Sequence, residues 1–212
     1  MTTKTISPYT FYAEMTPNPN TMKFVSNRWL ITDEKTYEIL ANQRVGSPSP
    51  LAEKLFNFPF INGVFIASNF VTITKSDVIE WQDVVMELRD FITEYMNSEG
   101  GIIIKSEFLN QDEITSETEP KQTLTTEAKL PKKEFTDFEE KIKVILDEYI
   151  RPAVENDGGA IELDSYENGV VKVILKGSCS GCPSSTMTLK AGIEQLLKNM
   201  LPEVQEVEAI NG

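Results

Sequence analysis

Short apolar runs separated by turn residues dominate the first hundred residues of the chain. Alternation of apolar and polar positions over Tyr9–Met15 predicts a strand. The next residues, Thr16–Asn20, read TPNPN and predict a turn, because each proline restricts both itself and the residue before it. Met22–Val25 and Trp29–Ile31 are two further short strand candidates.

The rest of this half predicts a helix, a hairpin and a second helix. Ser49 and Pro50 are a helix cap and a first helical residue. Ile61–Lys75 reads as two strands joined by a turn at Ser68 and Asn69. Apolar residues then recur at the spacing of an amphipathic helix: Trp81, Val85, Leu88, Ile92 and Tyr95. The pattern predicts an α+β domain over residues 1–107, with Trp29 and Trp81 in its core.

Residues 108–134 change in character. Between Leu109 and Glu134 there is no aromatic residue, and threonine, glutamate, lysine and glutamine predominate. Such a segment buries too little apolar surface to offset the entropy lost on ordering. It is interpreted as a flexible tether, and the alternative is an irregular loop lying on one domain.

After the tether, the pattern predicts a second α+β domain over residues 135–212. Thr136 and Glu139 form the capping box of a helix that Pro152 disturbs, and Asn156–Gly159 (NDGG) ends it. Two alternating strands flank the strong hairpin signal Asn168-Gly169. The apolar positions of the first helix are Phe138, Ile142, Ile145, Leu146 and Tyr149.

A final helix and strand complete this domain. The helix is marked by Leu189, Ile193, Leu196, Leu197 and Met200, and the strand spans Val204–Ile210. Met187 and Leu189 are assigned to ordinary helix packing, with a role at a dimer contact as the alternative. The predicted order is α-β-β-α-β, and a CxxC motif lies between a strand and a helix. The fold class is therefore two small α+β domains joined by a tether.

The CxxC motif holds the only two cysteines of the chain, Cys179 and Cys182, and there is no histidine. We call residues 177–182 the cysteine loop. Pro183 is well placed as the first helical residue, which makes Cys182 the cap. The unpaired N–H groups and the positive end of the helix dipole are then expected to favour thiolate, the form that binds metal.

The number of cysteines limits what the loop can hold. Iron–sulfur clusters and tetrahedral thiolate sites normally take four cysteines, and one chain supplies two. A metal site would therefore form between two copies of the chain about a two-fold axis. Two other interpretations stay open: a thiol–disulfide redox pair, and a zinc-bridged structural dimer.

Charge and composition exclude several functions. The net charge of −13 argues against nucleic acid and anionic membranes as partners. The lack of histidine excludes Ser-His and Cys-His catalysis. No apolar run is long enough for a membrane helix, and the start of the sequence lacks a secretory pattern, so a cytoplasmic protein is expected.

Two groups of motifs resemble a known family. ENDGGAIEL (Glu155–Leu163) and GSCSGCPSSTMTLKAGIEQLL (Gly177–Leu197) closely resemble the C-terminal domain of NifU-like (Nfu-type) iron–sulfur cluster scaffold proteins. TPNPNTMKF (Thr16–Phe24), SPLAEKLF and GVFIASNFVTITK resemble the N-terminal domain of the same family.

The resemblance implies that Cys179 and Cys182 are the metal ligands and hold a [4Fe-4S] cluster, one per homodimer. It implies a scaffold or carrier, and not an enzyme, that receives clusters from upstream assembly machinery and passes them to apo iron–sulfur client proteins. Ligand number alone does not exclude a [2Fe-2S] cluster.

Overall fold

The computed structural model describes residues 7–32, 35–98, 101–106, 136–180 and 183–211. They form two α+β domains, one before residue 107 and one after residue 135, as the pattern predicts. The predicted tether lies outside the described residues, so the boundaries 1–107, 108–134 and 135–212 remain a prediction.

The N-terminal domain is built on a five-stranded antiparallel sheet with the order β1-β2-β5-β4-β3. Its strands are β1 (Phe11–Met15), β2 (Thr21–Ser26), β3 (Tyr37–Leu40), β4 (Ile61–Ala67) and β5 (Phe70–Lys75). The predicted turn at Thr16–Asn20 joins β1 to β2, and the predicted hairpin is β4–β5.

Two helices cover one face of this sheet. They are α1 (Pro50–Leu55) and α2 (Trp81–Asn97), and a single 3-10 turn (Ala41–Gln43) follows β3. The Ser49 side chain caps α1 by accepting a hydrogen bond from the backbone N–H of Ala52. Leu88 and Ile92 of α2 are fully buried against sheet residues such as Val64 and Ile66.

Two predictions for this domain are wrong. Trp29–Ile31 is not a strand, and Trp29 is 66% exposed rather than part of the core. The third strand of the sheet is Tyr37–Leu40. Ile31 is buried, yet its backbone N–H bonds the carbonyl oxygen of Ser68 in the β4–β5 turn, outside any ladder. Trp81 is half-buried against the core, as predicted.

The C-terminal domain begins with a bent helical segment. The parts are α3 (Asp137–Ile145), a π-helical turn (Leu146–Ile150) and α4 (Arg151–Asn156). Thr136 and Glu139 form the predicted capping box at the start of α3. The π-helical turn ends at Ile150, two residues before Pro152, which lacks the N–H that a regular helix needs, so the predicted disturbance is confirmed.

A three-stranded sheet with the order β6-β7-β8 packs against these helices. The strands are β6 (Gly159–Glu167), β7 (Val170–Gly177) and β8 (Glu206–Asn211), and α5 (Pro183–Met200) lies between β7 and β8. Asn168 and Gly169 both have positive φ, as the tight hairpin turn between β6 and β7 requires. Strands β7 and β8 pair in parallel, so the cysteine loop follows the carboxyl end of a parallel strand.

Candidate functional site

The cysteine loop joins β7 to α5 in the C-terminal domain, which is where the sequence predicts it. Residues 177–180 of the loop are described; Gly181 and Cys182 lie outside the described residues. The described part turns sharply, because Gly177 has a φ of +66° and its carbonyl oxygen accepts a hydrogen bond from the N–H of Ser180 at 3.2 Å.

The Cys179 side chain points inward. It is 94% buried and belongs to the apolar core of the C-terminal domain, together with Ile193, Leu197 and Val207. Burial raises the pKa of the Cys179 thiol to about 11, and the negative charge of Asp157 adds to that rise, whereas a hydrogen bond with Ser178 lowers it. The expectation that the loop favours thiolate is therefore wrong for Cys179 in this arrangement, because desolvation by the core dominates.

The NDGG segment forms the other wall of the cysteine site. A β-carbon on Gly159 would lie 2.8 Å from the sulfur of Cys179. Gly158 has a φ of +82°, and its carbonyl oxygen accepts a hydrogen bond from the N–H of Ser178 at 3.2 Å. The Ser178 hydroxyl also donates to the carbonyl oxygen of Asp157. The sequence predicts a helix end and a turn here, and in the structure the segment also positions the loop.

Polar side chains of the N-terminal domain form hydrogen bonds with the same loop and its supporting turn. The Asn18 side-chain amide, in the TPNPN turn, donates to the carbonyl oxygen of Ser178 at 3.2 Å. The Thr72 hydroxyl donates to the carbonyl oxygen of Gly158 at 2.7 Å. Glu38 Oε1 accepts from the N–H of Gly177 at 2.9 Å, and the Ser180 hydroxyl lies 3.4 Å from the same oxygen.

The N-terminal sheet also makes an apolar contact with the C-terminal domain. We call its members in the N-terminal sheet the docking face: Val25, Phe65, Ala67 and Phe70. All four are buried, and they form one cluster with Ala160 of β6. Because neighbouring residues of β4 and β5 face the helices, the docking face is the opposite side of the sheet.

Lys23 and Thr36 add polar contacts around the docking face. The Lys23 ammonium donates to the carbonyl oxygen of Asn156, the last residue of α4, at 3.2 Å. It also lies 3.4 Å from the Glu14 carboxylate and 4.8 Å from the centre of the Phe70 ring. The Thr36 hydroxyl donates to Glu162 at 3.1 Å. The contact between the domains is thus apolar at its centre and polar around it.

Two residues near the start of α5 differ in exposure. Leu189 packs against the core of the C-terminal domain, as predicted. Met187 is 74% exposed, so the alternative role at a surface contact fits it better than helix packing does.

Other site types are not found in the described part of the chain. Among those residues, no group of three or more histidine, cysteine, aspartate or glutamate side chains is arranged to hold a metal ion. No helix within the described ranges is long and apolar enough to cross a membrane.

Family models match both domains. Residues 11–99 match the model described as scaffold protein Nfu/NifU N terminal, and residues 142–208 match the model described as NifU-like domain. The second match contains Cys179, Cys182 and the NDGG segment.

Relatives of known name are similar along most of the chain. NFU1 iron-sulfur cluster scaffold homolog, mitochondrial, of Drosophila willistoni is 35% identical over 92% of this chain, and its counterpart in Drosophila persimilis is 34% identical over the same share. The chain spans 61% and 63% of the length of these two relatives. A solution NMR structure of a NifU-like protein from Saccharomyces cerevisiae is 22% identical, with a TM-score of 0.41, over 49% of this chain and 91% of that one.

Proposed function

Because the chain belongs to the Nfu-type NifU-like family, with both its N-terminal and C-terminal domains, we propose that it is an iron–sulfur cluster scaffold or carrier. The observation that carries this proposal is the position of the CxxC motif inside the matched NifU-like domain, in a chain without other cysteines. The relatives at about a third identity have names that include the words iron-sulfur cluster scaffold.

Cys179 and Cys182 are the proposed ligands of the cluster. Thiolates are the usual ligands of iron–sulfur clusters, and these are the only two cysteines of the chain. Cys179 lies in a loop in which Gly177, with a φ of +66°, allows the backbone to turn sharply. The donor set therefore fits the cluster chemically, although it supplies only half of the usual ligands.

The proposed cargo is one [4Fe-4S] cluster per homodimer. Two chains together supply four thiolates, and none of the described residues forms a separate group of metal-ligating side chains that could complete the site within one chain. The exposed Met187, on the helix that follows the loop, provides apolar surface for a second protomer.

Cluster delivery in this proposal needs no acid–base catalysis and no enzyme turnover. The cysteines of an apo iron–sulfur client replace Cys179 and Cys182 as ligands one after another, and upstream assembly machinery supplies the next cluster. A site shared between two chains opens when the dimer separates. The cytoplasmic location expected from the sequence remains a prediction, and the names of the relatives include the word mitochondrial.

The proposal is tested by anaerobic reconstitution of the full chain with ferrous iron and sulfide. We expect visible absorbance with about four irons and four sulfides per two chains, and a dimer mass by light scattering. Cys179→Ala and Cys182→Ala should each abolish the absorbance. Ser98→Ala, which removes an exposed hydroxyl of the N-terminal domain, is the control and should load normally.

Three results would contradict this proposal. Tight binding of about one zinc per two chains, with no colour, would indicate the zinc-bridged dimer instead. A reversible Cys179–Cys182 disulfide that is active in monomers would indicate a thiol–disulfide redox protein. A cluster in monomers that survives either cysteine substitution would exclude the proposed ligands. Two irons per dimer would keep the scaffold and replace the [4Fe-4S] assignment by [2Fe-2S].

A further inference from the structure

The N-terminal domain contacts the cysteine loop on both sides of Cys179. Asn18 bonds the carbonyl oxygen of Ser178, and Glu38 bonds the N–H of Gly177 and lies next to Ser180. We propose that docking of the N-terminal domain holds residues 177–180 in a closed state, with Cys179 turned inward, and that the domains must separate before a cluster binds. This inference rests on the proposed function only for the identity of the cargo.

The first support is the direction of the Cys179 side chain. Its sulfur faces the core of the C-terminal domain, and Gly159 lies directly beside it. An inward thiol reaches neither iron nor a second protomer. Any backbone movement of residues 177–180 that turns the thiol outward works against the hydrogen bonds that Asn18 and Glu38 make to this segment.

The second support is competition for one surface. A cluster shared by two chains requires the second protomer to approach the backbone around Cys179. In the docked state the N-terminal domain covers this backbone. Its Phe65 ring would lie only 2.9 Å from a β-carbon added to Gly177. The N-terminal domain and the second protomer therefore exclude each other at this loop.

The third support is that the contact is suited to release. Each domain has its own buried core, and among the residues that the structure describes the apolar cluster between them includes only Ala160 from the C-terminal side. Separation would therefore leave both cores intact. Contacts of this kind within one chain commonly permit relative domain motion.

Glu38 makes the docked state less favourable than its hydrogen bonds suggest. Its Oε2 is buried and has no hydrogen-bond partner among the described residues. A buried polar atom without a hydrogen bond is unfavourable, and water would hydrogen-bond to it once the domains separate. The contact thus combines specific hydrogen bonds with a built-in cost, as expected of a reversible closure.

The test measures alkylation of Cys179 by iodoacetamide in the full apo chain, in a Cys182→Ser background that leaves one thiol. Thr72→Val changes a residue of the N-terminal domain and removes the hydroxyl that donates to the carbonyl oxygen of Gly158. Loss of a buried hydrogen bond should raise the alkylation rate about two- to tenfold if the thiol reacts only in the open state. Thr93→Val removes a hydroxyl that bonds within α2, and it should leave the rate unchanged.

A second pair of variants acts on the docking face. Phe65→Asp places a charge against Ala160, whereas Val78→Asp places the same charge on a residue that is 85% exposed in the same domain. We expect at least about tenfold faster alkylation from Phe65→Asp, since burying an unpaired charge is costly, and no change from Val78→Asp. Near-ultraviolet circular dichroism verifies that the N-terminal domain stays folded.

The outcomes separate this inference from the proposed function. Equal alkylation rates in Thr72→Val, Phe65→Asp and their controls would overturn the closed state, whether or not the protein binds a cluster. Faster alkylation with no cluster in any variant would keep the closed state and overturn the scaffold. Faster alkylation together with faster iron incorporation in Phe65→Asp, with Cys182 restored, is the result expected if both hold.

Discussion

Gly159 lies so close to Cys179 that a β-carbon added to it would stand 2.8 Å from the sulfur and 2.6 Å from the carbonyl oxygen of Lys176. Both distances are shorter than ordinary contacts, and the carbonyl oxygen belongs to the backbone of β7, which cannot yield easily. Position 159 therefore accommodates glycine without a clash, whereas a β-carbon there would clash with the thiol and with the backbone of β7.

Gly159→Ala should accordingly displace the cysteine loop. We expect a loss of about 1–3 kcal/mol in the free energy of unfolding, typical of overpacking, and weaker cluster loading. Gly192→Ala is the matched control, because a β-carbon there meets no atom within 4 Å and the residue lies inside α5. It should stabilise by about 0.5–1 kcal/mol in urea unfolding. A destabilised Gly192→Ala together with a neutral Gly159→Ala would contradict this account.

The reactivity of Cys179 should depend on pH in an unusual way. Thiolate is the reactive form, and burial raises the pKa of this thiol to about 11. In folded Cys182→Ser protein the alkylation rate should therefore keep rising up to about pH 11. In urea the rate should level off above about pH 8.5, the ordinary pKa of a cysteine thiol. A plateau near the ordinary value in the folded apo protein would show that Cys179 is not buried.

The same shift links apo stability to alkaline pH. Because the folded state holds the thiol proton more tightly than the unfolded state, the unfolded state gains stability first as pH rises through the ordinary thiol pKa. The free energy of unfolding should fall as pH increases from there towards the folded pKa of about 11. Cys179→Ala should reduce this dependence, and an unchanged slope would contradict the assignment.

The capping box of α3 also ties the helix to the sheet. Glu139 accepts hydrogen bonds from the N–H of Thr136 at 2.9 Å and from the N–H of Tyr166 in β6 at 3.1 Å. Thr136→Ala should cost about 1 kcal/mol as a lost cap, and Glu139→Ala about 1–3 kcal/mol because it leaves two N–H groups without an acceptor. Glu140→Ala, at an exposed neighbouring position, is the control in urea titrations followed by circular dichroism.

Met187 provides a test of the proposed dimer. Met187→Glu should leave the apo stability within about 0.5 kcal/mol, as expected of an exposed side chain. It should lower the fraction of dimer in cluster-loaded protein, because the second protomer would meet a charge. Met200→Glu, at the other end of α5 and 43% exposed, is the control. An unchanged light-scattering mass for Met187→Glu would place the dimer contact elsewhere.

Local signals were sufficient to predict most of the C-terminal domain. The capping box at Thr136 and the Asn168-Gly169 turn each depend on a few neighbouring residues, so the sequence contains the whole cause. Strand β3 was missed because Tyr37–Leu40 is short and lies at the edge of the sheet, where alternation covers too few positions to be recognised.

The contact between the domains could not be predicted in the same way. The six residues of β2 are all buried, on both faces of the sheet. The same sequence, with its threonine and lysine, would also suit a strand that has one face exposed to solvent. Likewise the chemistry around Cys182 suggests a thiolate site, but the pKa of Cys179 depends on a core assembled from distant residues. These properties arise from packing, which periodicity does not report.

The parallel pairing of β7 with β8 makes the burial of Cys179 depend on a strand that is distant in sequence. Cys179 packs in a core that includes Val204 and Val207, and Val207 pairs with Val171 only after α5 has crossed over the sheet. When β8 is detached from β7 this core is incomplete, and the thiol loses part of the surface against which it packs. The burial of Cys179 therefore depends on the attachment of β8 as well as on the cysteine loop itself.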